Sequence, residues 1–329
     1  MHFLFINIVI LIIYTNNFHN ILALPTNHND VLKANIYSNE EIPKLENFLQ
    51  SANLNPEQMG GHYQGDMIIP DDILRGAASR PLWQRWPNGV IPYDMTSSIA
   101  HNHTLLIEDA MRRMENITRV GNKLCIQFRP KTVDDYIFIT IQNGSGCSAH
   151  VGYLENYTLN RTVTLMHTPT NRTCMRTAII QHELLHVLGF FHEQSRPDRD
   201  EYVSIQWQNI INSSRFNFEK YSIEDIDTLM TSYDYGSVMH YEANAFSFNG
   251  LNTIIPTKNA SAVLGQRIGM SPIDILEVQR YYGCVPTPSA ATRTNTILMS
   301  STIIIQIASL LFVDWFISLK CIAGNFIVF

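Results

Sequence analysis

The residues that most constrain this chain run from His182 to Glu193: His-Glu-Leu-Leu-His-Val-Leu-Gly-Phe-Phe-His-Glu. In a helix, positions i and i+4 share a face, so His182 and His186 direct two imidazoles at one point. Ala178, Ile179, Leu184, Leu185, Val187 and Leu188 give that helix apolar surface to anchor against a core. Gly189 is free to take the left-handed conformation that ends a helix and turns the chain, which brings His192 back as a third nitrogen ligand. Three histidines around Zn2+ leave a fourth position for water, the catalytic rather than the structural arrangement, and no cysteine lies near to close it. Glu183, beside the first ligand, is placed to take a proton from that water. A lone His-Glu-x-x-His is weak, but Gly189 and His192 at their required offsets lower chance by on the order of several hundredfold.

The pattern continues through Glu193-Gln194-Ser195-Arg196-Pro197-Asp198-Arg199-Asp200-Glu201-Tyr202-Val203, and a second block follows at Ser237-Val238-Met239-His240-Tyr241. With these residues in view the chain resembles the astacin family of metzincin endopeptidases over about residues 60 to 285. The resemblance implies a zinc metalloendopeptidase with one Zn2+ per catalytic domain. It also implies an α+β metzincin fold of two subdomains, with the cleft between a mixed β-sheet plus helices and an irregular C-terminal subdomain. His182, His186 and His192 are then the metal ligands and Glu183 the general base. Tyr241 is an additional ligand in the substrate-free form and swings away when substrate binds. Met239, in the Met-turn, is an apolar floor beneath the histidines, and His240 matches the pattern without being a ligand. Glu193 is expected to pair with a buried mature N-terminus.

Residues 3 to 14 form a short apolar run followed by polar residues. It is too short for a comfortable membrane span and reads as a secretory signal peptide over residues 1–23, with only His2 in its n-region. From 24 to 75 the composition is polar and unpatterned, which read alone is a linker. Within it, Tyr63-Gln64-Gly65-Asp66 resembles the family's propeptide switch, with Tyr where Phe is usual. That implies that Asp66 holds the zinc in a zymogen, and an anionic oxygen in the open position excludes the nucleophile. Release of the domain at 76–285 then needs an activating protease. The cut falls at Arg75, Gly76 or Arg80, and the sequence leaves the choice open.

In the upper half, Trp86 to Tyr93 reads as a turn into a strand, His101 to Thr118 as an amphipathic helix, and Cys125 to Phe128 and Tyr136 to Ile141 as strands. Gly144 to Tyr153 resembles the family's edge strand beside the cleft. Its residues Cys147, Ser148, Ala149 and His150 are expected to bind an extended substrate through backbone groups. Tyr202 to Lys220 reads as irregular structure plus a helix, Ile223 to Met230 as a short helical piece, and Ser271 to Tyr282 as a last helix.

Five cysteines fit an oxidising compartment, and the four in the domain allow three pairings by counting alone. The family resemblance selects Cys125–Cys284 and Cys147–Cys174. Asn-x-Ser/Thr sequons begin at Asn102, Asn116, Asn156, Asn160, Asn171, Asn212 and Asn259, as expected of a secreted glycoprotein. An eighth, Asn143, is set aside because it lies close to the expected cleft. Net charge is −6 without a long Lys/Arg run, which argues against a nucleic-acid partner. Residues 286–329 are a linker and an apolar tail carrying the odd Cys321. Small residues at Ser289-Ala290-Ala291, a spacer and an apolar terminus resemble a GPI signal; a short membrane anchor, with Asp314 costly inside it, and plain secretion remain open. The expected protein is a secreted or surface-tethered endopeptidase that acts on extracellular proteins or peptides. An adhesion protein on the same scaffold would be favoured by a damaged ligand set or a lost Glu183, and all are present.

Overall fold

The computed structural model describes residues 55–69, 85–155, 161–167 and 173–288. The signal-peptide, activation-cut and C-terminal-tail expectations, and the sequons at Asn156, Asn160 and Asn171, fall outside them.

The upper half is a six-stranded sheet built from β1 (Met67–Ile68), β2 (Val90–Met95), β3 (Gln127–Pro130), β4 (Ile139–Gln142), β5 (Cys147–His150) and β6 (Arg161–Leu165). Its spatial order is β1-β5-β6-β4-β2-β3. Every pairing is parallel except β5 with β6, so the sheet is mixed. Helix α1 (His101–Ile117) packs Ile107, Met111 and Met114 into one core with Ile91, Phe128, Ile139, Ile141 and Val163 from the sheet. Helix α2 (Thr177–Leu188) adds Ile179, Leu185 and Val187 to that core. Every residue of α2 from Ala178 to Leu188 is buried, the polar Gln181, His182, Glu183 and His186 included.

A buried helix must satisfy its last carbonyls. In α2, Gly189 at φ 105° ends the helix, with Gly189 N–H donating to His186 O and Phe190 N–H to Leu185 O. Trp86 Nε1 donates to Val187 O and the Tyr282 hydroxyl to Leu188 O. The helix that carries the first two histidines is therefore pinned from two distant segments.

The lower half has few regular elements. Strands β7 (Val203–Ile205) and β8 (Ile254–Pro256) form an antiparallel ribbon beside a second core of Phe218, Tyr233, Tyr241, Phe246 and Leu264. Helix α3 (Pro272–Tyr281) starts on a capping box. Ser271 Oγ accepts the Ile273 and Asp274 amides, and Asp274 Oδ2 accepts the Ser271 amide at 2.7 Å. Disulfides join Cys125 to Cys284 and Cys147 to Cys174.

Several local expectations need correction. Ile223–Met230 is a series of turns, because Leu229 and Met230 both have positive φ, and Asp225 and Asp227 bond nearby amides in competition with a helix. Strand β7 lies inside a stretch read as irregular, and the helix expected there is 3-10 turns at Trp207–Asn209 and Asn212–Phe218. Strand β4 starts at Ile139 rather than Tyr136, since Asp135 is tied into a turn by Arg129 and Thr132. Strand β3 is likewise displaced to Gln127–Pro130.

Candidate active site

Helical spacing sets His182 and His186 on one face of α2, and the turn at Gly189 returns His192 to them. The His192 and His182 Nε2 atoms stand 3.4 Å apart. Asp66 enters from the N-terminal segment, Oδ2 lying 3.2 Å from His182 Nε2 and Oδ1 at 3.4 and 3.3 Å from His186 and His192 Nε2. One ligand atom from each of these four buried residues lies within 4.8 Å of all the others.

The hydrogen bonds decide whether such a cluster fits a cation. A backbone carbonyl only accepts, so His182 Nδ1 donates to Val238 O and His186 Nδ1 to Phe190 O, both at 2.8 Å. His192 Nδ1 donates to Gln64 Oε1 at 2.9 Å. With Nδ1 protonated in all three rings, each Nε2 presents its lone pair to the cluster, the tautomer a metal requires. His186 Nε2 and Asp66 Oδ1 are buried without a hydrogen-bond partner among the described residues. Three neutral nitrogens and a carboxylate oxygen, inward-facing and short of donors, fit Zn2+.

Glu183 is fully buried, and neither carboxylate oxygen has a hydrogen-bond partner among the described residues. Burial, with the Asp66 and Glu57 carboxylates adding to it, pushes its carboxyl well above the usual range. Tyr241 packs its ring 4.7 Å from that of His192. Its hydroxyl donates to Gln64 O. Burial and the Asp66 carboxylate keep the phenol neutral.

Met239 is buried in the turn below the histidines, and its carbonyl accepts the Glu193 amide at 3.1 Å. Asp274 fixes that turn by accepting from Ser237 Oγ at 2.6 Å and Val238 N–H at 3.0 Å. Glu193 Oε1 accepts the Asp234 amide at 2.7 Å and lies 3.5 Å from Arg196 Nη1, which is also 3.5 Å from Glu277. Burial and the facing Glu277 push Glu193 well up, and burial raises Glu277 to about 7. These groups border a cavity of about 840 Å3 that also reaches Arg85, Phe190 and Leu229. His240 stays out of the cluster, its ring held between the Tyr233 hydroxyl and Tyr241 O.

Strand β5 is already paired along its cleft edge. Met67 and Ile68 lie parallel to Ala149 and His150, and Ala149 N–H donates to Asp66 O at 2.9 Å. Asn102, Asn116, Asn212 and Asn259 are exposed on the surface. Two contributors escaped the sequence reading. Gln64 orients His192 and receives Tyr241, and Glu57 binds Arg267 through contacts of 2.7 to 3.0 Å. Gln64 at least lies inside a recognisable motif, whereas no local pattern links Glu57 to a residue 210 positions away.

A mixed sheet above an irregular half, with a helix-borne His-Glu-x-x-His completed by a third histidine over a methionine turn, defines a metzincin zinc peptidase. The model of the Astacin peptidase family matches residues 78–283. The chain is 38% identical over 227 residues to Zinc metalloproteinase nas-15 of Caenorhabditis elegans, covering 68% of this chain and 37% of the relative. It is 33% identical over 237 residues to nas-4 of the same organism, covering 69% and 70%. High choriolytic enzyme 1 of Oryzias latipes is 38% identical over 229 residues, covering 67% and 77%. The solved structure of that hatching enzyme zinc-protease superposes with a TM-score of 0.53 at 39% identity, covering 62% of this chain and 95% of the other. The chain thus spans about a third of nas-15 but most of the fish enzyme. The chain belongs to the astacin family of zinc metalloendopeptidases.

Proposed function

We propose that this chain is a secreted zinc endopeptidase made as a zymogen, which cleaves extracellular proteins or peptides once its N-terminal segment is removed. Residues 1–23 are the signal peptide, 24–75 the propeptide, 76–285 the catalytic domain and 286–329 a linker and apolar tail that serves as a GPI signal, a membrane anchor or neither. The observation that carries this reading is Asp66 set among His182, His186 and His192 while its own segment pairs along β5. The two disulfides and the exposed sequons support secretion.

His182, His186 and His192 would hold Zn2+, which would supply Lewis acidity towards a peptide carbonyl and a water. The remaining work falls to the chain. Asp66 holds the position the water needs. An activating protease cuts at Arg75, Gly76 or Arg80, and the new N-terminal ammonium enters the cavity beside Glu193, where the buried Glu193 and the partly buried Glu277 face one Arg196. With Asp66 and Glu57 gone, β5 is an open edge that binds an extended substrate through the backbone of Cys147 to His150. Glu183 takes the water's proton on a carboxylate oxygen and returns it to the leaving amide nitrogen. Tyr241, released from Gln64 O, donates to the tetrahedral oxyanion.

The test is hydrolysis of a denatured protein by the chain before and after limited trypsin, with and without a zinc chelator. Chelator-sensitive activity that appears only after a cut between 75 and 80 is expected. Absence of activity in a correctly cut, zinc-loaded chain would favour a binding protein on this scaffold.

A further inference from the structure

We propose that Glu57 is a second electrostatic latch of the latent chain, gripping Arg267 on the lower half of the cleft while Asp66 occupies the histidines. This rests on the zymogen reading above. The grip is built locally. Asn55 Oδ1 accepts the Glu57 amide at 3.2 Å, starting a single turn over Pro56–Gln58 with Pro56 fixed at its head. That turn aims Glu57 at Arg267. Arg267 Nε lies 2.8 and 3.0 Å from the two carboxylate oxygens and Nη2 lies 2.7 Å from Oε2, while Nη1 is spent on His240 O and Gln266 O. Both side chains are buried, 5% and 8% exposed, so the pair is shielded from water and salt.

Two glycines fold the segment so that both carboxylates reach inward. A Cβ on Gly60 would meet Gly65 O at 2.5 Å and Cys147 O at 2.7 Å. Gly65, at φ +95°, passes so close to Glu57 O that a Cβ would come within 2.9 Å. Next to Glu57, Gln58 Nε2 donates to Glu242 at 2.9 Å and its Oε1 accepts the Phe246 amide at 3.1 Å. The segment therefore holds the lower half through Glu57 and Gln58, and the upper half through Asp66 O and β1. Loss of the Glu57 charge leaves the Arg267 side chain buried without its hydrogen-bonded carboxylate for as long as the segment stays closed. The closed state alone bears that cost, because release exposes the cleft to water.

Three full-length zinc-loaded chains test this: wild type, Glu57→Gln and Asp66→Asn, each assayed uncut and after trypsin. Hydrogen exchange at the Ala149 and Val151 amides, which donate to Asp66 O and Ile68 O, reports closure without reference to activity. Uncut Glu57→Gln is expected to show roughly 10- to 100-fold more chelator-sensitive activity than uncut wild type, the scale of one charge-assisted contact, with faster exchange at both amides. After trypsin the three should converge, because Glu57 leaves with the propeptide. A Glu57→Gln chain as silent and as protected as wild type, beside a leaking Asp66→Asn, overturns the latch and leaves the zymogen standing. If neither variant leaks, both readings fall. A synthetic peptide of residues 53–70 added to trypsin-activated enzyme makes the test independent of variant folding. The Glu57→Gln peptide should inhibit at least ~10-fold more weakly than the native one, and equal inhibition overturns the latch.

Discussion

The Nδ1 of His182 donates to the carbonyl of Val238 at 2.8 Å, so the first histidine on α2 is oriented by the turn that carries Met239. Asp274 accepts from Val238 N–H and Ser237 Oγ on the other side of that turn and caps α3 with the same carboxylate. Burial raises its pKa while these donors lower it. Ligand orientation is thereby tied to the start of α3. Replacing Asp274 by Ala should cost about 2–4 kcal/mol of stability, because several donors lose a buried acceptor together. Denaturant unfolding of the zinc-loaded chain measures this, and a change below about 0.5 kcal/mol would contradict it.

Glu183→Gln keeps the size of the side chain and removes its ability to take a proton. The activated variant should bind zinc as the wild type does and lose ~10²- to 10⁴-fold in kcat, the range general-base catalysis supplies. Zinc content and turnover measured on one preparation check it.

Tyr241→Phe removes a neutral hydroxyl that rests on Gln64 O in the closed chain. In the activated enzyme, kcat should fall roughly 10²-fold with KM little changed, the signature of a donor used in the transition state. A change confined to KM would assign Tyr241 to substrate binding instead.

His150 lies beside β6, its Nδ1 accepting the Thr162 amide at 2.9 Å. Burial, helped by the Arg161 cation, lowers its pKa from 6.5 to about 4. Above pH 6.5 the ring is neutral in both folded and unfolded chains. Between 6.5 and 4 only the unfolded chain binds the proton, so stability drops as pH is lowered through that window, by up to about 3 kcal/mol. His150→Asn keeps an acceptor for Thr162 and cannot titrate there. Its unfolding midpoint should lose less than that of wild type between pH 7 and 4.5.

Cys125 and Cys284 close a loop of 159 residues, and Cys147 and Cys174 one of 27. Chain entropy alone assigns them about 5 and about 3.5 kcal/mol. Paired serine variants should therefore unfold in that order of severity, as calorimetry would show.

What could be read from the chain divides by the range of the signal. The zinc helix was legible because i, i+4 spacing and an apolar surround are local facts, and the turn at Gly189 follows from the one residue free of the left-handed penalty. Helices α1 and α3 carried their own periodicity and, for α3, a Ser271–Asp274 box. The Ile223–Met230 region misled because apolar spacing there competes with Asp225 and Asp227 side chains that bond nearby amides. The grip of Glu57 on Arg267 was invisible, since ion pairs between distant segments leave no periodic trace in a sequence. Gln64 shows the middle case: its motif marked the place, but its bond to His192 emerges only once the segment is folded into the cleft.

The proposed latency requires Asp66 to share one zinc ion with the three histidines. The most direct measurement is X-ray absorption at the zinc edge of the purified full-length chain, before and after trypsin. One zinc with three nitrogen neighbours and one oxygen, the carboxylate carbon behind that oxygen vanishing from the outer shell when water replaces Asp66 on cleavage, together with the appearance of peptidase activity, is the predicted result. A coordination shell unchanged by cleavage, or by Asp66→Asn, would contradict it.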